Sequence, residues 1–277
     1  MDRTVNTNEW EGRTGRGWAA EWRRTDRSFG GLTEHLLRRT RDLAFSNVLD
    51  IGCGAGELSL ALARGRPDTT VIGVDISPQL VDVAQERGAN LLNASFELAD
   101  AARWLPEPGF VPDFLISRHG VMFFPEPVSA FTHLAEVSAP GANMLFSCFR
   151  GPSANEIFSS VASLLPAPPA KSAPGAPGPM AFADPDRVRA ILSDAGWSAI
   201  EFEPLDFAMV AGSGDNPVED AVAYFSVIGP VAAAMAEMPL AEKEAFRERL
   251  TDFVALREID GVVAFGAGAW IVSAIRG

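Results

Sequence analysis

The stretch 47-NVLDIGCGAGELSLALARGRPDTTVIGVDI-76 decides the fold. It reads as a short apolar strand at Val48–Ile51, glycines at every second position (Gly52, Gly54, Gly56), a helix beginning at Glu57, and a second strand over Thr70–Ile76 that carries Asp75 near its end. Glycines between a strand and a helix let the backbone turn sharply and turn its N–H groups toward a ligand at the helix N-terminus. The spacing of the loop decides which ligand it suits.

A dinucleotide loop needs G-x-G-x-x-G, and the third glycine would fall at residue 57, where Glu57 stands. A carboxylate there would repel a pyrophosphate a few ångströms away. No G-K-[ST] comes after it, which excludes a phosphate-cradling P-loop. The residues suit a ligand whose near end is a zwitterion. Asp50 can attract an ammonium group, and the loop amides of Gly52 and Gly54 with the helix start can hold a carboxylate. Asp75, 23 residues after Gly52, stands where an acid accepts both hydroxyls of a ribose. Asp100 comes after a third short strand and can accept from an adenine amino group. Amino acid, ribose and adenine in that order describe S-adenosylmethionine.

Outward from this unit the chain alternates strands and helices. Ser77-Pro78 opens a helix that runs to Arg87, Ser95–Ala99 and Asp113–Ser117 are strands, Pro127–Ser138 is an amphipathic helix, and Asn143–Phe149 is a fifth strand. Such alternation predicts a doubly wound α/β sheet, Rossmann-like, with seven mostly parallel strands and an antiparallel last strand. The whole of 1–277 reads as a single domain. Residues 1–45 form a helical cap and 46–150 the ligand-binding core. Residues 151–198 are a lid and helix, and 199–277 are C-terminal strands with a helical insertion at 217–257. Seven prolines between residues 164 and 185 preclude regular structure there and suggest an irregular, mobile lid.

Residues 46–150 resemble the class I S-adenosylmethionine-dependent methyltransferase family. The resemblance is carried by "VLDIGCGAGE", "VIGVDIS", "FELADAARWLP", "DFLISRHGVMFFPEP" and "APGANMLFSCF". The chain is most similar to small-molecule members of the ubiquinone/menaquinone type. The resemblance implies that Cys53, Ile76, Ala101 and Ser117 line the cofactor site beside Asp50, Gly52, Gly54, Asp75 and Asp100. It implies S-adenosylmethionine as cofactor and in-line transfer of a methyl group to a small organic acceptor, with oxygen the expected atom. A quinone-type C-methyltransferase, a peptide or carboxylate methyltransferase, and a non-catalytic S-adenosylmethionine-binding regulator stand as alternatives.

His119, just past the fourth strand, is the candidate catalytic base for a hydroxyl acceptor, titrating near neutrality; its alternative role is pocket wall. Arg118 binds an acidic substrate or pairs with a nearby carboxylate. Met122 and Phe123 line an apolar pocket or join the core. Trp18 and Trp22, spaced i, i+4, share a helical face that packs in the core or closes over the cofactor. His35 and His133 read as structural.

The 277 residues carry 47% apolar side chains, enough for a full core, and a net charge of −13 that argues against sequence-independent nucleic-acid binding. The charge is uneven, with nine arginines against six acids in residues 1–41. Two cysteines suggest neither disulfide framework nor metal site, so no metal is expected and a reducing, cytoplasmic setting is. No apolar run is long enough for a membrane span, and the expected assembly is a monomer or homodimer.

Overall fold

The structure, a computed structural model, describes residues 10–166, 173 and 175–277. Its strands are β1 (Asn47–Ile51), β2 (Thr70–Asp75), β3 (Ala94–Leu98), β4 (Phe114–Arg118), β5 (Asn143–Phe149), β6 (Trp197–Ser213), β7 (Glu258–Ile259) and β8 (Val262–Arg276). They lie in the order β3-β2-β1-β4-β5-β8-β6, with the two-residue β7 a spur on β8. Neighbours from β3 to β5 pair in parallel, and β8 runs antiparallel to both β5 and β6. The expected architecture is therefore present, with that spur as an eighth strand. Chain order reverses between β1 and β4, so the crevice above their carboxyl ends is where an open α/β sheet takes its ligand.

Sequence explains the layering. Val48–Ile51 and Phe114–Ile116 are buried throughout, as strands covered on both faces must be. The covering helices include α4 (Glu57–Gly65) and α5 (Pro78–Gly88), and α6 (Pro127–Val137) and α7 (Pro185–Asp194). Proline at the first position of α5, α6 and α7 presets the helical φ, and the Asp184 side chain caps α7 by accepting from Asp186 N.

The cap is three short helices, α1 (Arg13–Ala20), α2 (Trp22–Ser28) and α3 (Gly30–Arg39), broken at Glu21 and Phe29. This corrects one expectation. Because the helix stops between Trp18 and Trp22, the i, i+4 relation is lost and the two rings leave in different directions. Trp18 packs on the C-terminal core, whereas Trp22 lies under the Arg87 guanidinium, 3.8 Å from its ring centre.

Residues 167–172 and 174 of the proline-rich stretch lie outside the described residues. The segment after them is anchored. Phe182, 1% exposed, packs on Phe131 and Phe146, Cys148 Sγ donates to its carbonyl, and Gly178 N donates to Met122 O. A buried aromatic holds this end of the segment to the α6 face of the sheet.

The C-terminal hairpin is longer than expected. Only Ala269–Ile275 of β8 pairs with β5; Val262–Ala267 pairs with β6 residues Phe207–Ser213 and projects past the sheet. At about 3.4 Å per residue the overhang reaches roughly 20 Å beyond β5 on the ligand side. The helical insertion, α8 (Pro217–Val227), α9 (Pro230–Glu237) and α10 (Leu240–Ala255), packs on it around Tyr224, Phe225, Phe246, Leu250 and Phe265. This second core walls the crevice on the β5 side.

Candidate functional site

Three loops meet above β1, β2 and β4. Gly52, Gly54 and Gly56 all have positive φ (65°, 55° and 84°). A Cβ on Gly52 would stand 2.9 Å from Gly120 Cα, so two backbones touch there. A Cβ on Gly54 would meet nothing within 4 Å, so that side of the loop is open to a ligand. Asp75 accepts from Gly54 N (2.8 Å) and Ser77 N (2.9 Å), which sets its carboxylate at the loop. Burial raises its pKa against these hydrogen bonds. Ser117 Oγ donates to Ile51 O (2.6 Å) and accepts from Gly120 N (3.1 Å), stitching the β1 and β4 loops together.

Asp50 has a structural task that its sequence position did not reveal. It is 1% exposed, and its Oδ2 accepts from Ser59 N (3.1 Å) and Ser59 Oγ (2.6 Å), bracing α4 from beneath the loop. Burial pushes its pKa up to about 6 against those hydrogen bonds. Asp100 is exposed and caps the turn after β3 through Ala102 N, with Ala101 buried behind it. Ile76 is half-buried beside Asp75, and Cys53 is a buried thiol raised in pKa by burial. Phe96 explains three glycines at once: a Cβ on Gly56, Gly73 or Gly88 would fall 2.8–3.0 Å from its ring.

Charge gathers over the start of α4. Asp26, from α2, meets Arg87 (2.9 Å) and Arg118 (3.3 Å), and Glu57 meets Arg87 (2.8 Å). Arg87 also donates to Ala55 O (2.6 Å), and Arg118 to Thr33 Oγ1 (2.8 Å). Burial raises the Asp26 pKa to about 6, with Arg118 opposing. Burial would raise Glu57 too, but hydrogen bonds with Asp26 and Arg87 outweigh it and hold Glu57 low. Asp26 thus keeps the proton of the pair longer, and Glu57 stays ionised at a helix N-terminus, where its charge is favoured. Arg118 takes the role of carboxylate partner rather than standing free. Asp26 and Arg87 are residues that sequence reasoning missed, since nothing local marks a residue whose partners lie on other helices.

His119 occupies the left-handed region (φ 64°), rare for a side chain with a Cβ, and is 8% exposed. Its ring stacks on Phe149 (4.1 Å) and meets Phe29 edge-on (5.5 Å). Ser147 grips it twice: its carbonyl accepts from His119 N (3.2 Å), and its Oγ lies 3.3 Å from Nδ1. Nε2 is buried with no hydrogen-bond partner. Burial, then the Arg118 charge, lowers the imidazole pKa to about 3. The ring is therefore neutral at physiological pH and too weak a base for the role expected of it, and its expected titration near neutrality is corrected. Phe158 and Phe207 extend the aromatic wall from Phe149 and Phe29.

Met122 is 2% exposed and belongs to the core, the second of its two expected places. Phe123 is half-buried and meets Trp10 edge-on (5.1 Å), joining the cap to the β4 loop. His133 contacts Trp104 O and His35 faces Glu203, both structural. Among the described residues no cluster has metal-ligand character, and both cysteines are free and buried. No single described helix is long and apolar enough to cross a membrane.

Residues 48–141 match the family described as a methyltransferase domain. Trans-aconitate 2-methyltransferase of Methylobacterium radiotolerans is 27% identical over 233 residues, 83% of this chain and 72% of that protein. Its counterpart in Paracidovorax citrulli is 37% identical over 106 residues, 38% of this chain and 40% of that protein. Among solved structures, Haemonchus contortus phosphoethanolamine N-methyltransferase 2 in complex with S-adenosyl-L-methionine matches with a TM-score of 0.57 at 16% identity, over 98% of this chain and 60% of that one, a likeness of fold. Sheet order, switch point and glycine loop define a Rossmann-like methyltransferase fold. The chain is a class I S-adenosylmethionine-dependent methyltransferase, with S-adenosylmethionine its cofactor.

Proposed function

We propose that this enzyme methylates an oxygen atom of a small organic acceptor, bound between the cap, the turn after β4 and the β6–β8 overhang. One observation carries the reading: the ends of β4 and β5 are walled by Phe29, Phe149, Phe158 and Phe207, and among them His119 Nε2 is a buried polar atom left without a partner. Such a wall suits an apolar body bearing a single polar reacting group.

The cofactor supplies an electrophilic methyl group on a sulfonium. Asp75 would accept from the ribose hydroxyls, with Ile76 against the sugar and adenine. Asp100 and Ala101 would meet the adenine edge. The backbone of Gly52, Cys53 and Gly54 would hold the amino-acid end, while Ser117 keeps the loops in register and Asp50 braces them from below. With the imidazole neutral and weakly basic, the protein's contribution is alignment and exclusion of water. Arg118 and Asp26 tie the cap down over the loop, and Trp18 and Phe123 close its sides.

Incubation with methyl-labelled S-adenosylmethionine and a small-molecule extract tests the reading. Label should enter small molecules at oxygen, as ethers or esters. Label on carbon, or in protein, overturns it.

A further inference from the structure

We infer that His119 presents a neutral Nε2–H, its tautomer set by Ser147, and that this donor selects a carboxylate as methyl acceptor; the inference rests on the oxygen-methylation reading above.

Ser147 is fully buried. A buried hydroxyl proton needs an acceptor. The hydrogen-bond partner of Ser147 Oγ among the described residues is His119 Nδ1, at 3.3 Å. Ser147 therefore donates and Nδ1 accepts. In a neutral imidazole the proton then sits on Nε2. That N–H is buried without a partner, a costly arrangement unless a ligand accepts from it. The ring cannot swing away, because it is stacked on Phe149 and its backbone is held to Ser147 O in a left-handed conformation.

A fixed N–H donor chooses among acceptors. It cannot remove a proton from a hydroxyl, and it opposes an amine, whose own N–H groups it would face. It favours an oxygen that arrives as an anion with lone pairs to spare. The Arg118 guanidinium adds a positive field at the ring, which favours negative charge at the same place. A carboxylate meets all three conditions. One oxygen accepts from Nε2–H and the other attacks. The O–CH3 bond forms as the CH3–S bond breaks, and the electron pair stays on sulfur. The products are a methyl ester and a neutral thioether, and no proton moves. Ser147 is a positioning residue in this scheme, acting through His119.

Two measurements test it on the full-length protein. Long-range nitrogen–proton spectra of histidine-labelled enzyme read the tautomer directly. Nε2–H is expected in the wild type, and addition of 3-phenylpropanoate or hexanoate should shift that resonance, while 3-phenylpropanol should not. Ser147→Ala should mix the tautomers, leave S-adenosylmethionine affinity unchanged, and lower kcat/KM for an acid about ten- to a hundredfold, the worth of a hydrogen bond to a charged group. Labelled product from the extract should release its methyl group as methanol in mild alkali, as esters do. Three outcomes overturn the inference: an Nδ1–H tautomer in the wild type, no shift with either acid, or alkali-stable ethers as product. Ethers would leave the oxygen-methylation reading standing, whereas label on carbon would remove both.

Discussion

Gly120→Ala probes the contact on which the site depends. Gly120 has an ordinary helical φ of −74°, so alanine meets no backbone strain. Its Cβ, however, would stand 2.5 Å from Ile51 O, 2.9 Å from Ser117 Oγ and 3.0 Å from Gly52 Cα. Two of these neighbours are backbone of the β1 end and cannot rotate aside. Overpacking of this kind costs about 1–3 kcal/mol. The buried Ser117 hydroxyl, which bridges Ile51 O and Gly120 N, would lose a partner as the loops part, adding about 1–3 kcal/mol. Together they give a loss of about 2–6 kcal/mol in unfolding free energy. Gly54→Ala is the control with the opposite cause: open space around the Cβ, but φ of 55°. It should cost roughly 1–2 kcal/mol through backbone strain alone. Denaturant melts of both variants, with calorimetric titration of S-adenosylmethionine, decide the matter. If Gly120→Ala proves no more destabilising than Gly54→Ala, the close contact between the β1 and β4 loops is not as described.

Asp75→Ala should weaken S-adenosylmethionine binding by about 1.5–3 kcal/mol in calorimetry, and unchanged affinity would remove its ribose role. The buried Asp50 carboxyl, at about 6 in the fold, binds a proton more tightly there than in the unfolded chain. It therefore favours folding below its unfolded pKa of about 3.9 and costs stability as pH rises through about 6, amounting to about 3 kcal/mol above that window. Asp50→Asn should lack this component, so the stability difference between variant and wild type should change between pH 4 and 6 and be flat above 7. With the imidazole at about 3, kcat should show no step attributable to His119 between pH 5 and 8; a step removed by His119→Gln would contradict its neutral state. A thiol reagent should label neither Cys53 nor Cys148 until the protein unfolds, since both are buried and raised in pKa.

The cofactor half of the molecule was legible because its signals are local. Alternating glycines, an acid at the end of β2 and prolines at helix starts each act within a few residues of where they stand. The acceptor half was less so. The break at Glu21 separates Trp18 from Trp22 though their spacing fits one helix. Met122 and Phe123 are adjacent and similar, yet one is core and the other meets Trp10, which arrives from the far end of the cap. The low pKa of His119 comes from surroundings at Phe29 of the cap and on β4 and β5, which no single window of sequence contains. Asp50 shows the same limit: its acid was visible, but the serine that claims it lies across the loop, in the first turn of α4.

The projecting half of β8 makes one strand a member of two cores. From Ala269 onward it completes the sheet, while Val263, Phe265 and Ala267 belong to the helices α8–α10. The cofactor loops meet the first core and the small cluster of Cys53, Leu60, Val81, Ala84 and Phe96, and contribute no residue to the second. Replacement of side chains inside the second can therefore reshape the acceptor chamber while the glycine cradle stays intact, so one scaffold can exchange acceptors without rebuilding its methyl donor site. Phe158 and Phe207, which pack against both cores, are the rings through which such changes would still be felt.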